Sequence, residues 1–208
     1  MLSAEAIANL HDQQTCAWHE KPTAGGNAAS AAAIPDSESR WLDLVARQHR
    51  ANFELWHIED LAREPGAMDA ELASVKRRID RTNQRRNDLA EQLDHALLEW
   101  LTPQDLPNPN APLHSETPGL MIDRLSILSL KIFHTREEAA RADAPPGHAE
   151  RNQQRLGILE EQRADLAGCL DKLWWETLAG TRRFKLYRQL KMYNDPALNP
   201  AIYLKPLK

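Results

Sequence analysis

The residues best suited to chemistry lie in one stretch, residues 114–134, which reads HSETPGLMIDRLSILSLKIFH. Asp123 and His134 are embedded there among the apolar positions of a helical pattern, where a carboxylate and an imidazole must find hydrogen-bonding partners. A positioned carboxylate and a nearby imidazole or amine can act as general base and general acid. This supports a catalytic hypothesis in which the base is one of the carboxylates and the second group is His134 or Lys131. The candidate bases are Asp60, Glu116 and Asp123.

The same residues allow two interpretations without catalysis. In the first, Asp123 pairs with Arg86 or Arg124 in a set of buried ion pairs that specifies how the helices align. In the second, the helix start near Gly119 binds an anion through its free N–H groups, with Arg86 or Arg124 beside it. The charge of Glu116 would compete for those N–H groups. The second interpretation predicts a phosphate or a sugar nucleotide as the ligand.

Metal sites with a recognisable sequence pattern are not evident. Glu59, Asp60, Asp123 and His134 would offer suitable ligand atoms, but the paired Glu-x-x-His pattern of di-iron bundles is absent. The HExxH, CxxC, P-loop and GxGxxG patterns are absent as well. We therefore assign no metal ligands from the sequence, and the cofactor stays unknown.

Nucleophilic catalysis has little support in the sequence. Ser126 and Ser129 fall in the middle of a helical pattern without a recognisable turn, and the two cysteines lie in no motif. His11 and Asp12 form an isolated pair on the first predicted helix, and we assign them no role.

Composition narrows the class of protein. The chain has 208 residues, a net charge of −4 and a pI near 6.1, which argues against a general nucleic-acid binder. No apolar run approaches the roughly 20 residues of a membrane span, and the N-terminus shows no signal-peptide pattern. Two distant cysteines are typical of reduced thiols. These features predict a cytoplasmic protein without a membrane span.

The elements that would position the site are all helical. Thr117 is placed to cap a helix that begins at Pro118, and apolar residues recur on more than one side of it. Such a helix belongs at the centre of a bundle. Further helices are predicted at 37–63, 69–101 and 149–178, with a last one from about residue 182 to 193. The proline-rich segment 102–116 is predicted to be an extended loop.

These elements predict an all-α, up-and-down bundle of four or more long helices. Residues 1–19 are predicted to form a helical arm that docks on the bundle, 20–36 a flexible linker, and 37–208 the bundle domain. The tail is punctuated by prolines and carries three tyrosines near residues 187–203, so we expect it to be ordered.

Four motifs occur together and in order: NFELWHIED at 52–60, IDxxNQxRND at 79–88, ETPGxxxDRLSILSLK at 116–131, and KMYNDPxLNP at 191–200. The chain thereby resembles an all-helical bacterial family that is classed as a domain of unknown function. Members of that family are often encoded beside glycosyltransferases of lipopolysaccharide and other surface-polysaccharide pathways. If the motifs converge, they form one polar cavity. Its ligand-binding candidates are Asn52, Trp56, Glu59, Asn83, Arg86, Asn87, Gly119, Arg124, Lys131, Lys191, Tyr193, Asn194 and Asp195.

For function, we expect a cytoplasmic accessory or ligand-binding protein of surface-polysaccharide biosynthesis that acts with a glycosyltransferase. One alternative is an enzyme on a phosphorylated sugar or sugar nucleotide. Another is a structural scaffold that dimerises through its tryptophan-rich faces. The expected partners are accordingly a glycosyltransferase, a sugar-phosphate or sugar-nucleotide ligand, or a second copy of the chain, and not nucleic acid.

Overall fold

The computed structural model describes residues 3–20, 37–188, 190 and 196–204. This part of the chain is all-α and contains no β-strand, which confirms the predicted fold class. Its helices are α1 (Ala4–Glu20), α2 (Ser37–Leu61), α3 (Asp69–Leu101), α4 (Pro118–Ala140), α5 (His148–Leu178) and the short α6 (Pro200–Tyr203). None of the described helices has both the length and the apolar character needed to cross a bilayer.

The predicted central helix is α4, which packs against α1, α2, α3 and α5. It begins as expected, because Pro118 is its first residue and the Thr117 side chain accepts a hydrogen bond from the Leu120 N–H at 3.3 Å. Met121, Leu125 and Ile132 are fully buried along it. Burying each such side chain contributes about 1.5–3 kcal/mol, so α4 holds the bundle together from its centre.

The first helix, α1, docks on the bundle. Ile7 is buried against the core, and the Asp171 carboxylate of α5 accepts the N–H of Ala4 at 2.9 Å. Arg163 of α5 pairs with Asp12, because its Nη1 lies 2.8 Å from each of the two carboxylate oxygens. The interpretation of Asp12 as isolated was therefore wrong, because its partner lies 151 positions away along the chain.

The segment after α5 differs from expectation. Gly180 adopts φ +70° and ends the helix, and no helix forms between residues 181 and 188. Arg183 instead exchanges backbone hydrogen bonds with the proline-rich loop, donating to Pro112 O at 3.0 Å and accepting from His114 N at 2.7 Å. The predicted last helix was therefore wrong over these residues. Their backbone groups are satisfied by the loop instead.

That loop was predicted to contain no helix, and it contains one 3₁₀ turn at Thr102–Gln104.

The C-terminal tail is described only in part, with α6 at Pro200–Tyr203. Lys191, Tyr193, Asn194 and Asp195, which were candidates for the site, lie outside the described residues.

Candidate functional site

Asp123 is the centre of a buried polar cluster on α2, α3 and α4. Its Oδ1 accepts hydrogen bonds from Gln48 Nε2 at 2.5 Å and from Asn52 Nδ2 at 3.0 Å. Arg86 Nε of α3 lies 3.6 Å from the same oxygen. Burial raises the pKa of Asp123, whereas Arg86, Asn52 and Gln48 oppose that rise. The structure therefore brings together Asp123, Asn52 and Arg86, which are three of the candidates named from the sequence.

A directed chain of hydrogen bonds continues from this cluster to α1. The Thr15 hydroxyl donates to the His11 carbonyl at 2.8 Å, so its contact with His49 Nε2 at 2.9 Å must be donated by the imidazole. His49 Nδ1 then accepts from the Ser126 hydroxyl at 2.7 Å, and Ser126 Oγ accepts from Asn52 at 2.9 Å. Burial lowers the pKa of His49 to about 4, which keeps the ring neutral.

This chain contains a serine–histidine pair, but the pair cannot reach a substrate. Ser126 and His49 are both 0% exposed, and His11 stacks on His49 with ring centroids 4.4 Å apart. The pair therefore aligns α1, α2 and α4 and is not a catalytic nucleophile. The interpretation of His11 as having no role was wrong as well, because the ring is fully buried at this contact.

An open pocket of about 370 Å³ adjoins the Asp123 cluster, and we call it the Trp56 pocket. Trp56 and Asn52 line it from α2 and Arg86 from α3. The other lining residues are Leu55, Glu59, Asp60, Arg63, Ile127 and Leu130. Sequence reasoning missed Arg63, whose guanidinium donates to the Glu59 carbonyl at 2.6 Å and to its carboxylate at 3.3 Å. Asn83 and Asn87 neighbour Arg86 on α3 but are not part of this lining.

Three further candidates, on α4 and just before it, line a different cavity, so the single cavity expected from the motifs is divided. Glu116, Arg124 and Lys131 line a groove of about 750 Å³ between α4 and α5. Ile127 lines both this groove and the Trp56 pocket. Arg124 holds the Glu116 carboxylate with two hydrogen bonds of 2.8 and 2.9 Å. Glu116 therefore pairs with Arg124 in the groove and does not join the Asp123 cluster.

The start of α4 is already occupied by a carboxylate of the protein itself. The Gly119 N–H donates to Asp94 Oδ1 at 2.7 Å, and this contact is buried. Burial raises the pKa of Asp94 to about 6, with the Thr117 and Gly119 hydrogen bonds opposing the rise. Asp94 thus takes the place of the anionic ligand that the sequence suggested near Gly119. Sequence reasoning missed Asp94, because nothing local marks it as a partner of a helix start 25 positions away.

His134 lies too far along α4 to work with Asp123. The two residues are eleven positions apart, which the helical rise converts to about 16 Å. His134 donates through Nδ1 to Glu137 Oε2 at 2.8 Å and stacks on Trp56 with centroids 4.8 Å apart. Burial lowers the pKa of His134, and Glu137 raises it. The structure therefore does not bring Asp123 and His134 together as a base and an acid at one site.

A family model described as "Protein of unknown function (DUF4254)" matches residues 42–186, which is more than half of the chain. The chain belongs to this family. The DUF4254 segment contains α3, α4 and α5 and all but the first residues of α2, so it includes the Asp123 cluster and the Trp56 pocket. It does not include α1. Comparisons with curated proteins and with solved structures gave no match.

Proposed function

We propose that this DUF4254 protein binds a polar, sugar-containing ligand with an anionic group in the Trp56 pocket. One observation carries the proposal: the pocket places an indole, two guanidinium groups and amide and carboxylate acceptors around about 370 Å³. That volume falls within the range of about 300–1,000 Å³ typical of small-molecule sites. Sugars present apolar C–H faces to aromatic rings and hydroxyl groups to amides and carboxylates, and guanidinium groups bind phosphate.

Binding fits the geometry better than catalysis does. Asp123 accepts two hydrogen bonds beside Arg86, and the His49–Ser126 pair is fully buried. A general base must reach the proton that it removes within about 2.6–3.2 Å. Among the catalytic candidates, Asp60 lines the pocket but has no imidazole or amine beside it in that lining. We therefore favour recognition of a sugar phosphate or a nucleotide sugar.

We further propose that the protein acts in the cytoplasm as an accessory to a glycosyltransferase of surface-polysaccharide biosynthesis. The support is the sequence resemblance, since members of the family are often encoded beside such enzymes, together with a pocket suited to their donor substrates. Deletion of the gene should then shorten or remove the surface polysaccharide. The Trp56→Leu variant should fail to restore it, and the Trp175→Leu variant should succeed.

The binding proposal is tested by thermal shift with glucose, glucose 1-phosphate, uridine monophosphate and UDP-glucose. A ligand that binds only the folded state raises the free energy of unfolding by about 2.7 kcal/mol at a hundredfold excess over its Kd. We expect a shift with at least one phosphorylated ligand for the wild type and none for Trp56→Leu. Trp175→Leu is the matched control, because Trp175 is 68% exposed on α5 and lies outside the pocket lining.

A second variant covers the case in which Trp56→Leu does not fold. Arg63→Gln changes an exposed side chain whose ion pair with Glu59 contributes about 0–1 kcal/mol, so it should fold normally. Arg63→Gln should weaken the binding of the phosphorylated ligands and leave the binding of glucose unchanged. Absence of any shift in the wild type at millimolar ligand would overturn the proposal.

A further inference from the structure

Three imidazoles from three different helices converge next to the Trp56 pocket. His19 lies at the end of α1, His57 near the end of α2, and His134 on α4. Each ring offers one nitrogen, and these three nitrogens all lie within 4.8 Å of one another. The His19 and His134 rings are partly buried, and the His57 ring is the most exposed of the three. Three potential ligand atoms are therefore gathered by tertiary packing and not by a local sequence motif.

Hydrogen bonds select the same nitrogen on all three rings. His19 Nδ1 contacts the Thr15 carbonyl at 2.7 Å, and His57 Nδ1 contacts the Phe53 carbonyl at 2.8 Å. His134 Nδ1 contacts the Glu137 carboxylate at 2.8 Å. Carbonyl and ionised carboxylate oxygens only accept hydrogen bonds, so each neutral ring carries its proton on Nδ1. Each Nε2 is therefore left with a lone pair.

Two of those lone pairs have no partner in the described structure. Nε2 of His19 and Nε2 of His134 are buried and make no hydrogen bond with any described residue. A buried acceptor without a partner is unfavourable. Packing alone accounts for the ring contacts, such as His19 stacked on Phe133 at 4.3 Å. It does not account for three imidazoles that each offer a ligand nitrogen within 4.8 Å of the other two.

This arrangement matches the way proteins hold metal ions through histidine. A metal-binding imidazole almost always donates its other N–H to a backbone carbonyl or a carboxylate, which fixes the tautomer and orients the ring. Neutral imidazole nitrogens suit Zn²⁺, and three protein ligands with a fourth position left for water are typical of exchangeable or catalytic zinc sites. We propose that His19, His57 and His134 bind a Zn²⁺-type divalent transition metal through their Nε2 atoms.

The geometry requires only a small closure. Tetrahedral coordination with Zn–N bonds of about 2.0–2.1 Å places ligand nitrogens about 3.4 Å apart, against separations of up to 4.8 Å here. His19 and His57 also line a cavity of about 480 Å³ that provides an entry path.

Because His19 belongs to α1, the metal would also tie the first helix to α2 and α4. Of the four residues that the sequence offered as possible metal ligands, His134 belongs to this site, whereas Glu59, Asp60 and Asp123 do not. The metal proposal does not rest on the sugar proposal.

The test is isothermal titration of the untagged, chelator-treated full chain with ZnCl₂, with CoCl₂ as a spectroscopic substitute. We expect one ion per chain, and the Co²⁺ form should show the visible absorption of tetrahedral nitrogen coordination. His57→Gln should weaken binding at least tenfold. Glu137→Gln should also weaken it, by about 10–100-fold, because it removes the group that orients His134. His95→Gln is the matched control at an exposed histidine on α3 and should bind normally.

Circular dichroism without metal establishes first that each variant is folded. Glu137 is an exposed side chain, so its variant keeps the test decisive even if His57→Gln is unstable. Metal binding should also slow proteolysis within α1, because His19 anchors that helix. Stoichiometric binding that survives His57→Gln and Glu137→Gln unchanged would overturn the proposal. The absence of one-to-one binding by the wild type would do so equally.

Discussion

At Gly119 the start of α4 lies close against the backbone of α3, and replacing this glycine with alanine tests the packing of the central helix. A Cβ atom at this position would lie 2.3 Å from the Ala90 carbonyl oxygen and 2.9 Å from the Asp94 carboxylate. The nearest of these atoms belongs to the α3 backbone, which cannot move aside as a flexible side chain can. Gly119→Ala must therefore push the start of α4 away from α3.

The magnitude follows from two contributions. Overpacking of a well-packed interior costs about 1–3 kcal/mol. The displacement also weakens the 2.7 Å hydrogen bond from the Gly119 N–H to Asp94, and a hydrogen bond to a charged group contributes about 1.5–3 kcal/mol. We therefore expect Gly119→Ala to lower the free energy of unfolding by about 3–5 kcal/mol.

The chain offers matched controls for the same chemical change. Gly157 and Gly168 lie within α5, and a Cβ at either position would meet no atom within 4 Å. Alanine is favoured over glycine in a helix interior by about 0.5–1 kcal/mol, so both control variants should be more stable than the wild type. Urea unfolding followed by circular dichroism gives all three values by linear extrapolation. A Gly119→Ala protein within 1 kcal/mol of the wild type would refute the close approach of α3 and α4.

Two further predictions concern buried polar groups. Ser126→Ala should lower the free energy of unfolding by about 1–3 kcal/mol, because the hydroxyl links Asn52 to His49. Ser129→Ala, one turn along α4, is the control and should be neutral or stabilising in the same urea assay, because the buried Ser129 hydroxyl makes no hydrogen bond within the described residues. If both variants lowered the free energy of unfolding equally, the chain of hydrogen bonds through Ser126 would be contradicted. The second prediction concerns Asp94, whose pKa is raised by burial to about 6. Between about pH 4 and 6 the folded state therefore binds more protons than the unfolded state. The contribution of Asp94 to the free energy of unfolding is present at low pH and is lost as the pH rises through 6. Asp94→Asn does not titrate and is the reference. Relative to this variant, the free energy of unfolding of the wild type should fall by about 2–3 kcal/mol between pH 4 and 7, and the charges of Glu91 and His95 modulate the Asp94 pKa. A difference between the two proteins that does not change with pH would contradict the raised pKa.

The features that could be predicted from sequence were those set by local chemistry. The start of α4 follows from Thr117 and Pro118, whose effects depend only on the next few residues. Asp123 could be recognised because a carboxylate in an apolar stripe must be paired. Its partners Asn52 and Arg86 interrupt apolar stripes on their own helices in the same way.

The features that could not be predicted depend on distant segments meeting. Asp94 caps the start of α4 from α3, and no spacing rule connects the two. His19 and His57 match no metal-binding sequence motif, because each ligand of the proposed metal site comes from a different helix. The segment around Arg183 was predicted to be helical because its local pattern allows a helix. The backbone of this segment instead hydrogen-bonds to the proline-rich loop, and no local sequence pattern indicates that pairing.

Nuclear magnetic resonance of the tryptophan indole N–H groups tests the proposed binding site most directly. The chain has six tryptophans, and the loss of a signal in Trp56→Leu identifies the resonance of Trp56. Titration with glucose 1-phosphate or UDP-glucose should shift the Trp56 resonance saturably and leave that of the exposed Trp175 in place. If the Trp56 resonance stays fixed while either ligand is saturating, or if Trp175 moves as much, the Trp56 pocket is not the ligand site.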